Sequence, residues 1–416
     1  MISKIIKLKN KLLQGKTKTY LLKTFFVYGF IALSMALIKV LIARFYGQVE
    51  LGIFTFFMSL ASFVYLFTSF GFSESLTQTI VKDKSKLKDS LKFSIKLTIP
   101  FTILFIFLTW TIIKLLNFNL GIENFFSALI IYIITYTIYY YTYSIYRGNK
   151  DFVLGSIFSL VNRILLILSI IIAFILKIQF KYILYALSAT LIITTIISLP
   201  KLKKIIKESN LKPTKTNQKL FFKIAFSLFL TQVGFYSLRY IDAIAIQYLV
   251  DFASLGLYSA YGSIINIIRL IAYVFPVVVL PMAAVSNYKI KKSLFSILAI
   301  IIPFAIFVLA ASYIIVPLLY GANYKDLYLP IALVISSTLL VIYSYFNSIF
   351  VGENEPNKKY IKIISIDFFL SLILNTILNI YFIKTYGIIG APIATSIVIV
   401  LKILLNMYAI KKMRRE

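Results

Sequence analysis

The chain alternates between apolar segments of about twenty residues and short polar segments rich in lysine. An apolar segment such as Leu154–Leu176 is close to the ~20 residues that an α-helix needs to cross a bilayer. The pattern predicts an all-α polytopic membrane protein with about twelve transmembrane helices. We place them at Phe25–Ala43, Gly52–Gly71, Phe93–Leu116, Phe125–Tyr146, Phe152–Leu176, Phe180–Leu199, Phe221–Leu249, Leu255–Leu280, Leu294–Leu319, Leu327–Val351, Ile361–Phe382 and Ile388–Tyr408.

The composition agrees with a membrane location and narrows the chemistry. Hydrophobic residues make up 60% of the chain and the mean hydropathy is +0.92. The net charge is +30, but the charges cluster in short segments between apolar spans, which argues against a nucleic-acid partner. The chain has no cysteine and no histidine. It therefore lacks thiol chemistry and the commonest proton shuttle and metal ligand, and we expect neither a metal nor a cofactor.

The positions of the cations predict the topology. Most of the 44 Lys and Arg residues fall at the N-terminus, at the C-terminus and in every second segment between spans. The positive-inside rule then puts both termini in the cytoplasm. The basic stretch Lys201–Lys223, interrupted by Pro213, becomes a cytoplasmic linker between two halves. All outer loops are short, which leaves no external domain for catalysis, so we expect no enzyme.

The two halves repeat each other. Leu51–Thr55 (LGIFT) resembles Leu255–Ser259 (LGLYS) at a shift of 204, and similar pairs of short matches follow in the same order. A repeat of six spans gives both halves the same orientation in the membrane. We predict two six-helix bundles, residues 1–200 and 220–416, related by a pseudo-two-fold axis along the membrane normal and joined by a linker at 201–219.

Three motifs carry a resemblance to a known family. They are Arg44–Gly47 followed by Glu50–Phe54, then Tyr320–Tyr324 (YGANY), and Tyr386–Thr395 (YGIIGAPIAT). They resemble the loops of polysaccharide (O-antigen type) flippases, in the multidrug/oligosaccharidyl-lipid/polysaccharide exporter superfamily. The resemblance implies two helix bundles around a central cavity.

The resemblance also implies a function and its setting. The substrate would be a polyprenyl-diphosphate-linked oligosaccharide, such as an O-antigen or capsule repeat unit. Alternating access would move it from the cytoplasmic to the outer leaflet of a bacterial inner membrane. Membrane lipids, and the polymerase and chain-length proteins of a polysaccharide pathway, would be partners.

Charged residues inside predicted spans are costly and point to function. Arg163 and Arg269 lie at mid-bilayer depth without an acid at helical spacing, so we expect them to face a wet cavity and to hold the diphosphate. The alternative is that each binds backbone carbonyls. The predicted substrate-binding set is Lys39, Arg44, Arg163, Arg239 and Arg269.

The two intramembrane acids have two interpretations each. Asp367 and Lys402 both lie ~9 Å from the cytoplasmic side, counted at about 1.5 Å per residue, so adjacent helices can pair them. Asp242 stands three residues after Arg239, where a local ion pair can form. Either acid can instead bind a coupling ion. Tyrosines along one span, from Tyr132 to Tyr143, fit packing and the aromatic belt better than sugar stacking.

Three other functions compete with the flippase. An ion-coupled multidrug antiporter of the same superfamily is the closest, but export of cationic drugs favours acids in the cavity, whereas the charges here are mostly basic. A glycosyl-transferring membrane enzyme would need paired carboxylates or histidine in outer loops. A scaffold without transport would need no unpaired arginine at mid-membrane depth.

Overall fold

The computed structural model describes residues 29–118, 120, 122–209, 214–285, 290–353 and 358–413, and these ranges contain helices and turns but no strand. All-α architecture is therefore confirmed. The helices are α1 (residues 29–45), α2 (Gln48–Ser69), α3 (Phe72–Lys82), α4 (Leu87–Leu115), α5 (Phe125–Gly148), α6 (Phe152–Ile175), α7 (Lys181–Ser209), α8 (Gln218–Leu249), α9 (Phe252–Val285), α10 (Ile290–Tyr320), α11 (Leu329–Glu353), α12 (Lys358–Phe369), α13 (Asn375–Tyr386) and α14 (Gly390–Met413).

Within the described ranges these helices form twelve rods, as predicted. We count α2 and the short helix α3 that follows it as one rod. We also count α12 and α13, which one π-helical turn, Leu370–Leu374, joins, as one rod. Length and hydropathy mark ten candidate membrane spans among the described residues. The last of these, Ile363–Lys412, contains two rods because the chain turns back at Gly387. The residues described for α1 number too few to count as a span by that length.

The second rod is broken where the sequence predicts its end. Phe70 and Gly71 both adopt left-handed backbone conformations, with φ of 44° and 72°, and such residues end an α-helix. The chain then continues in helical form to Lys82, eleven residues beyond the predicted boundary at Gly71. A Cβ atom at residue 71 would lie 2.2 Å from the carbonyl oxygen of Ala225, so only glycine allows α3 to approach α8 this closely.

Helix packing within each half is extensive. In the first half α7 packs against α5 and α6, and α2 packs against α4 and α5. In the second half α11 packs between α9 and α14, while α8 contacts α12 and α13. The halves meet where α2 contacts α8 and α9 and where α3 contacts α8. The exact division at residues 201–219 stays a prediction, and Lys201–Ser209 belongs to α7.

The contact between α2 and α9 joins residues that the repeat relates. A Cβ atom at Gly52 would lie 1.8 Å from the Phe252 carbonyl oxygen, and one at Gly256 would lie 2.1 Å from the Gln48 carbonyl oxygen. At the shift of 204, Gly52 is equivalent to Gly256, and Gln48 is equivalent to Phe252. The contact of Gly52 with Phe252 is therefore repeated, with the two halves exchanged, by the contact of Gly256 with Gln48. In a two-fold interface, residue i of the first copy contacts residue j of the second, and residue j of the first contacts residue i of the second. The pseudo-two-fold axis consequently passes between α2 and α9.

The basic linker contacts the segment between α3 and α4 and the first turn of α4. Lys84 forms an ion pair with Glu208 at 3.0 Å, and the Thr216 backbone N–H donates to Asp89 at 2.8 Å. Both segments therefore lie at the same end of the helix bundle. The linker positions Asn210 and Pro213 fall outside the described residues.

Candidate functional site

Three of the predicted substrate-binding cations lie near one another, with Lys39 buried, Arg269 half-buried and Arg239 exposed. The side chain of Lys39, on α1, is 6% exposed, and the positive charges of Arg239 and Arg269 both act on its ammonium group. Arg269 reaches from α9 to α11, where its Nε donates to Ser337 Oγ at 2.9 Å. Like charges repel, so an anion between these three groups would relieve their repulsion. We call Lys39, Arg239 and Arg269 the cation cluster.

Arg163 lies in a different neighbourhood. It is half-buried on α6, and its charge acts on the hydroxyls of Tyr132 and Tyr136 on α5. It forms no ion pair with the described residues. The structure therefore does not bring Arg163 into the cation cluster with Arg269, and the prediction that both hold one diphosphate stays untested.

Arg44 stands apart from the cluster at the end of α1. It is exposed, its Nε donates to the carbonyl of Leu319 at 2.7 Å and its guanidinium donates a second bond to Leu318 at 2.5 Å. Both carbonyls belong to the last turn of α10, where carbonyls lack helical partners. This contact ties α1 to α10, and substrate binding by Arg44 stays a prediction.

Asp242 is the centre of a buried polar site in the second half. Its carboxylate is 1% exposed and accepts hydrogen bonds from Tyr258 at 3.1 Å, from Asn379 at 3.1 Å and from Thr395 at 2.8 and 2.9 Å. The local ion pair with Arg239, one of the two interpretations of Asp242, does not form in the described structure, where Arg239 is exposed and Asp242 is buried.

The same site contains polar atoms without partners. The fully buried Asn375 has neither its amide nitrogen nor its amide oxygen hydrogen-bonded, and Asn379 Oδ1 is also unpaired. Such groups are costly to bury and call for a partner. A carboxylate, a hydroxyl and amide oxygens are the ligands that a hard cation prefers. We call Asp242, Asn375, Asn379 and Thr395 the Asp242 site.

Asp367 and Lys402 form the predicted ion pair, which is confirmed. Lys402 Nζ lies 3.3 Å from Asp367 Oδ2 and donates to Gly234 O at 2.5 Å and to Ser371 Oγ at 2.7 Å. Tyr343 donates to the carboxylate at 3.1 Å, and the ammonium sits 4.3 Å from its ring centroid. The Asp367 charge is thus compensated inside the protein, whereas the described surroundings of Asp242 provide donors but no ion pair.

Sequence reasoning missed Asn375 and Asn379 as part of a site. One signal for them is present, because Asp367, Ser371, Asn375 and Asn379 recur every four residues along one rod. This spacing puts them on one helix face. Their burial against α8 and α14 depends on tertiary packing, which the spacing alone does not show. Within the described residues no group of three His, Cys, Asp or Glu side chains could hold a metal ion.

Comparison with known proteins identifies relatives of the fold. A model of a family described as "Polysaccharide biosynthesis protein" matches residues 21–286. A structure of the lipid II flippase MurJ in an inward closed conformation matches 93% of this chain and 87% of its own, with a TM-score of 0.67 and 19% identity.

Multidrug transporters share the same fold. An inward-facing MATE family transporter of the MOP superfamily matches 92% of this chain and 96% of its own, with a TM-score of 0.64 and 15% identity. The MATE multidrug transporter DinF-BH matches 95% of both chains at a TM-score of 0.59 and 13% identity. No curated protein sequence gives a significant match.

Proposed function

This chain belongs to the polysaccharide biosynthesis protein family, and from that membership we propose that it flips a polyprenyl-diphosphate-linked oligosaccharide across the membrane. The oligosaccharide would be a repeat unit such as that of O-antigen or capsule, and the membrane the bacterial inner membrane, with both termini cytoplasmic. Rocking of the bundles would separate α2 from α9 on one side of the membrane. Polymerase and chain-length proteins of the same pathway are proposed partners.

The observation that carries the proposal is the cation cluster. Lys39, Arg239 and Arg269 come from three helices, α1, α8 and α9, which belong to both halves of the chain. A diphosphate carries several negative charges, and arginine can bond it through two parallel donors. A ligand held between the halves shifts the equilibrium between their arrangements if it binds one arrangement better. Binding of the diphosphate to the cation cluster would then be linked to the movement of the two halves.

The Asp242 site supports ion coupling as a finer part of the same proposal. Arg269 acts electrostatically on the Asp242 carboxylate, so the charge at the Asp242 site and the charge at the cation cluster affect each other. A monovalent cation or a proton bound at Asp242 would change the electrostatic potential at Arg269. An anion bound at the cation cluster would change that potential as well. We assign the coupling role to Asp242 rather than to Asp367, because Lys402 already neutralises Asp367.

Multidrug antiport is the competing function of this fold. The two MATE structures named above share the fold at 15% identity or less, which carries no argument about substrate. The cation cluster favours an anionic substrate over a cationic drug. The observed charges therefore support the flippase.

Replacement of the arginines tests the proposal in cells. Arg269→Gln and Arg163→Gln, each with its Lys counterpart, would be expressed in a flippase-deficient strain that supplies the glycan. We expect Arg269→Gln to abolish most export at normal protein levels and Arg269→Lys to restore part of it, because the positive charge returns without the bidentate geometry. Lys384→Gln, an exposed residue of α13, is the matched control. Full export by both Gln variants would refute the proposal.

A further inference from the structure

Tyrosines from both halves lie near one another, within electrostatic range. Tyr136 and Tyr140 lie one turn apart on α5, and Tyr236 and Tyr240 lie one turn apart on α8. The hydroxyl of Tyr240 acts electrostatically on Tyr136, and that of Tyr236 acts on Tyr140. The two helices run in opposite directions across the membrane, and these pairs match in depth. We call these four side chains, together with Tyr65 of α2, the tyrosine face.

The ring of Tyr65 packs edge to face or tilted against Tyr136 and Tyr140, whereas the rings of Tyr236 and Tyr240 are stacked, with centroids 6.4 Å apart at 15°. The ring centroid of Tyr65 lies 4.8 Å from that of Tyr136 and 5.1 Å from that of Tyr140, at interplanar angles of 83° and 57°. The Tyr136 and Tyr140 centroids are 5.6 Å apart. Tilted rings of this kind leave part of a π-face uncovered. The face can therefore receive a further flat or apolar surface.

Two of these rings lie deep in the bundle and yet remain open. Tyr136 and Tyr140 are half-buried. Part of each ring therefore borders a space that the protein does not fill. Neither hydroxyl forms a hydrogen bond within the described part of the chain. Each can donate to, and accept from, a ligand in that space.

Charged groups border the tyrosine face on two sides. Glu74, in the first turn of α3, acts on Tyr65 and Tyr140, while Arg163 acts on Tyr136. Tyr240 follows Arg239 of the cation cluster directly in the chain. The tyrosine face and the cation cluster therefore both draw on the same turn of α8.

We propose that the tyrosine face is the subsite for the sugars of the lipid-linked substrate, an inference that rests on the proposed function. A sugar ring has an apolar face of C–H groups and a rim of hydroxyls. The ring faces of tyrosine pack against the C–H face of the sugar. Tyrosine hydroxyls and a carboxylate such as Glu74 form hydrogen bonds with the sugar hydroxyls. An aromatic belt would instead lie at the lipid surface near the membrane–water interfaces, whereas these rings lie between the halves. The charged diphosphate and the neutral sugars would thus bind to neighbouring parts of one interior surface.

Binding to two probes separates the sugar subsite from the diphosphate site. The probes are undecaprenyl diphosphate carrying one sugar and the same lipid carrying an oligosaccharide. Purified Tyr136→Leu and Tyr140→Leu should each bind the oligosaccharide probe about tenfold more weakly, and the single-sugar probe within about twofold of the wild type. Tyr136→Phe and Tyr140→Phe keep the ring and should lose about threefold on the oligosaccharide probe alone.

A lipid-facing tyrosine and an arginine variant serve as controls. Tyr381→Leu, at an α13 position that is 61% exposed, should bind both probes as the wild type does. Arg269→Gln should weaken both probes equally. Wild-type affinity of all four tyrosine variants for the oligosaccharide probe, or equal loss on both probes, would overturn the sugar subsite. If Arg269→Gln binds both probes normally while the tyrosine variants lose the oligosaccharide probe, the diphosphate site fails and the sugar subsite stands. If the wild type binds neither probe, both proposals fail.

Discussion

Lys402 shows how a single residue can hold several helices together. Its ammonium is fully buried and bonds to oxygens from α8, the π-helical turn and α12. Burial of an ion pair is costly in itself, but removal of one partner leaves the other charge uncompensated. Loss of the Lys402 side chain would therefore destabilise the protein mainly because it leaves the buried Asp367 charge uncompensated, and not because the ion pair itself is strongly stabilising.

Lys402→Met should destabilise the protein by ~3–5 kcal/mol, because Asp367 would remain buried without its cation. The double variant Lys402→Met/Asp367→Asn should recover part of this loss, since no net charge is then buried. Thermal unfolding in detergent measures both, with Lys384→Met as the exposed control. A single variant as stable as the wild type would show that the pair contributes nothing.

Asp242→Asn should remove the dependence of transport on the coupling ion. The amide keeps the size of the side chain and most hydrogen bonds, but it has no charge to attract a cation or to take up a proton. Transport would be measured against Na⁺ concentration and against pH. The matched control is Asp251→Asn, an exposed carboxylate that bonds the Ser254 N–H at the start of α9. An Asp242→Asn variant with the ion dependence of the wild type would contradict the coupling role.

These residues show what sequence can and cannot predict about a site. The Asp367–Lys402 pair was predictable, because equal depth on adjacent antiparallel helices leaves two buried charges little choice of partner. The partners of Asp242 were not, since Tyr258, Asn379 and Thr395 come from three other helices. Helical spacing reports only neighbours on the same helix. The nearby Arg239 therefore suggested a pair that the fold does not form.

At the scale of elements, α2 and α9 form the contact on which the two halves meet. Besides the paired glycines, Thr55 Oγ1 donates to Ser259 Oγ at 2.7 Å, again across a shift of 204. The motif match between Leu51–Thr55 and Leu255–Ser259 is therefore also a contact in space. The helical continuation beyond Gly71 as α3 was less accessible from the sequence, because α3 contains Ser, Glu, Thr and Gln and lacks the apolar character of a span.

A disulfide across the α2–α9 contact should arrest transport. The chain has no cysteine, so the variant Thr55→Cys/Ser259→Cys would carry the only two thiols. The wild-type oxygens are 2.7 Å apart, which places the two side chains within reach of a disulfide. Oxidation should block export and reduction should restore it, because separation of α2 from α9 is needed to open this side. The single variant Thr55→Cys is the control, and full export by the fully cross-linked protein would contradict a moving contact here.

At the scale of the whole molecule, the distribution of lysine predicts the orientation in the membrane. Contacts between Lys84 and Glu208 and between Asp89 and Thr216 place two basic segments at one end of the bundle. A Cys at Asn210 should react with an impermeant thiol reagent only after the cells are permeabilised. The chain without cysteine provides the background control. Labelling from outside intact cells would reverse the proposed topology.

The twelve rods follow from the apolar pattern, because a bilayer demands helices of spanning length wherever such segments occur. The function of the interior does not follow in the same way. The cation cluster and the tyrosine face each draw residues from both halves, so their assembly depends on how the two bundles meet. The repeat at a shift of 204 predicted two bundles related by a pseudo-two-fold axis. The paired glycines of α2 and α9 show where the two bundles approach each other closely.

Translocation by the purified protein is the most direct test of the account. Proteoliposomes would contain a polyprenyl-diphosphate-linked oligosaccharide, and the fraction exposed to an external glycosidase would be followed over time. The account predicts that wild-type protein raises the rate of exchange between leaflets above that of protein-free vesicles. It also predicts that Arg269→Gln lowers this rate by about tenfold or more, as expected for loss of a charge-assisted contact. No exchange above protein-free vesicles, together with export of a cationic drug by the same preparation, would contradict it.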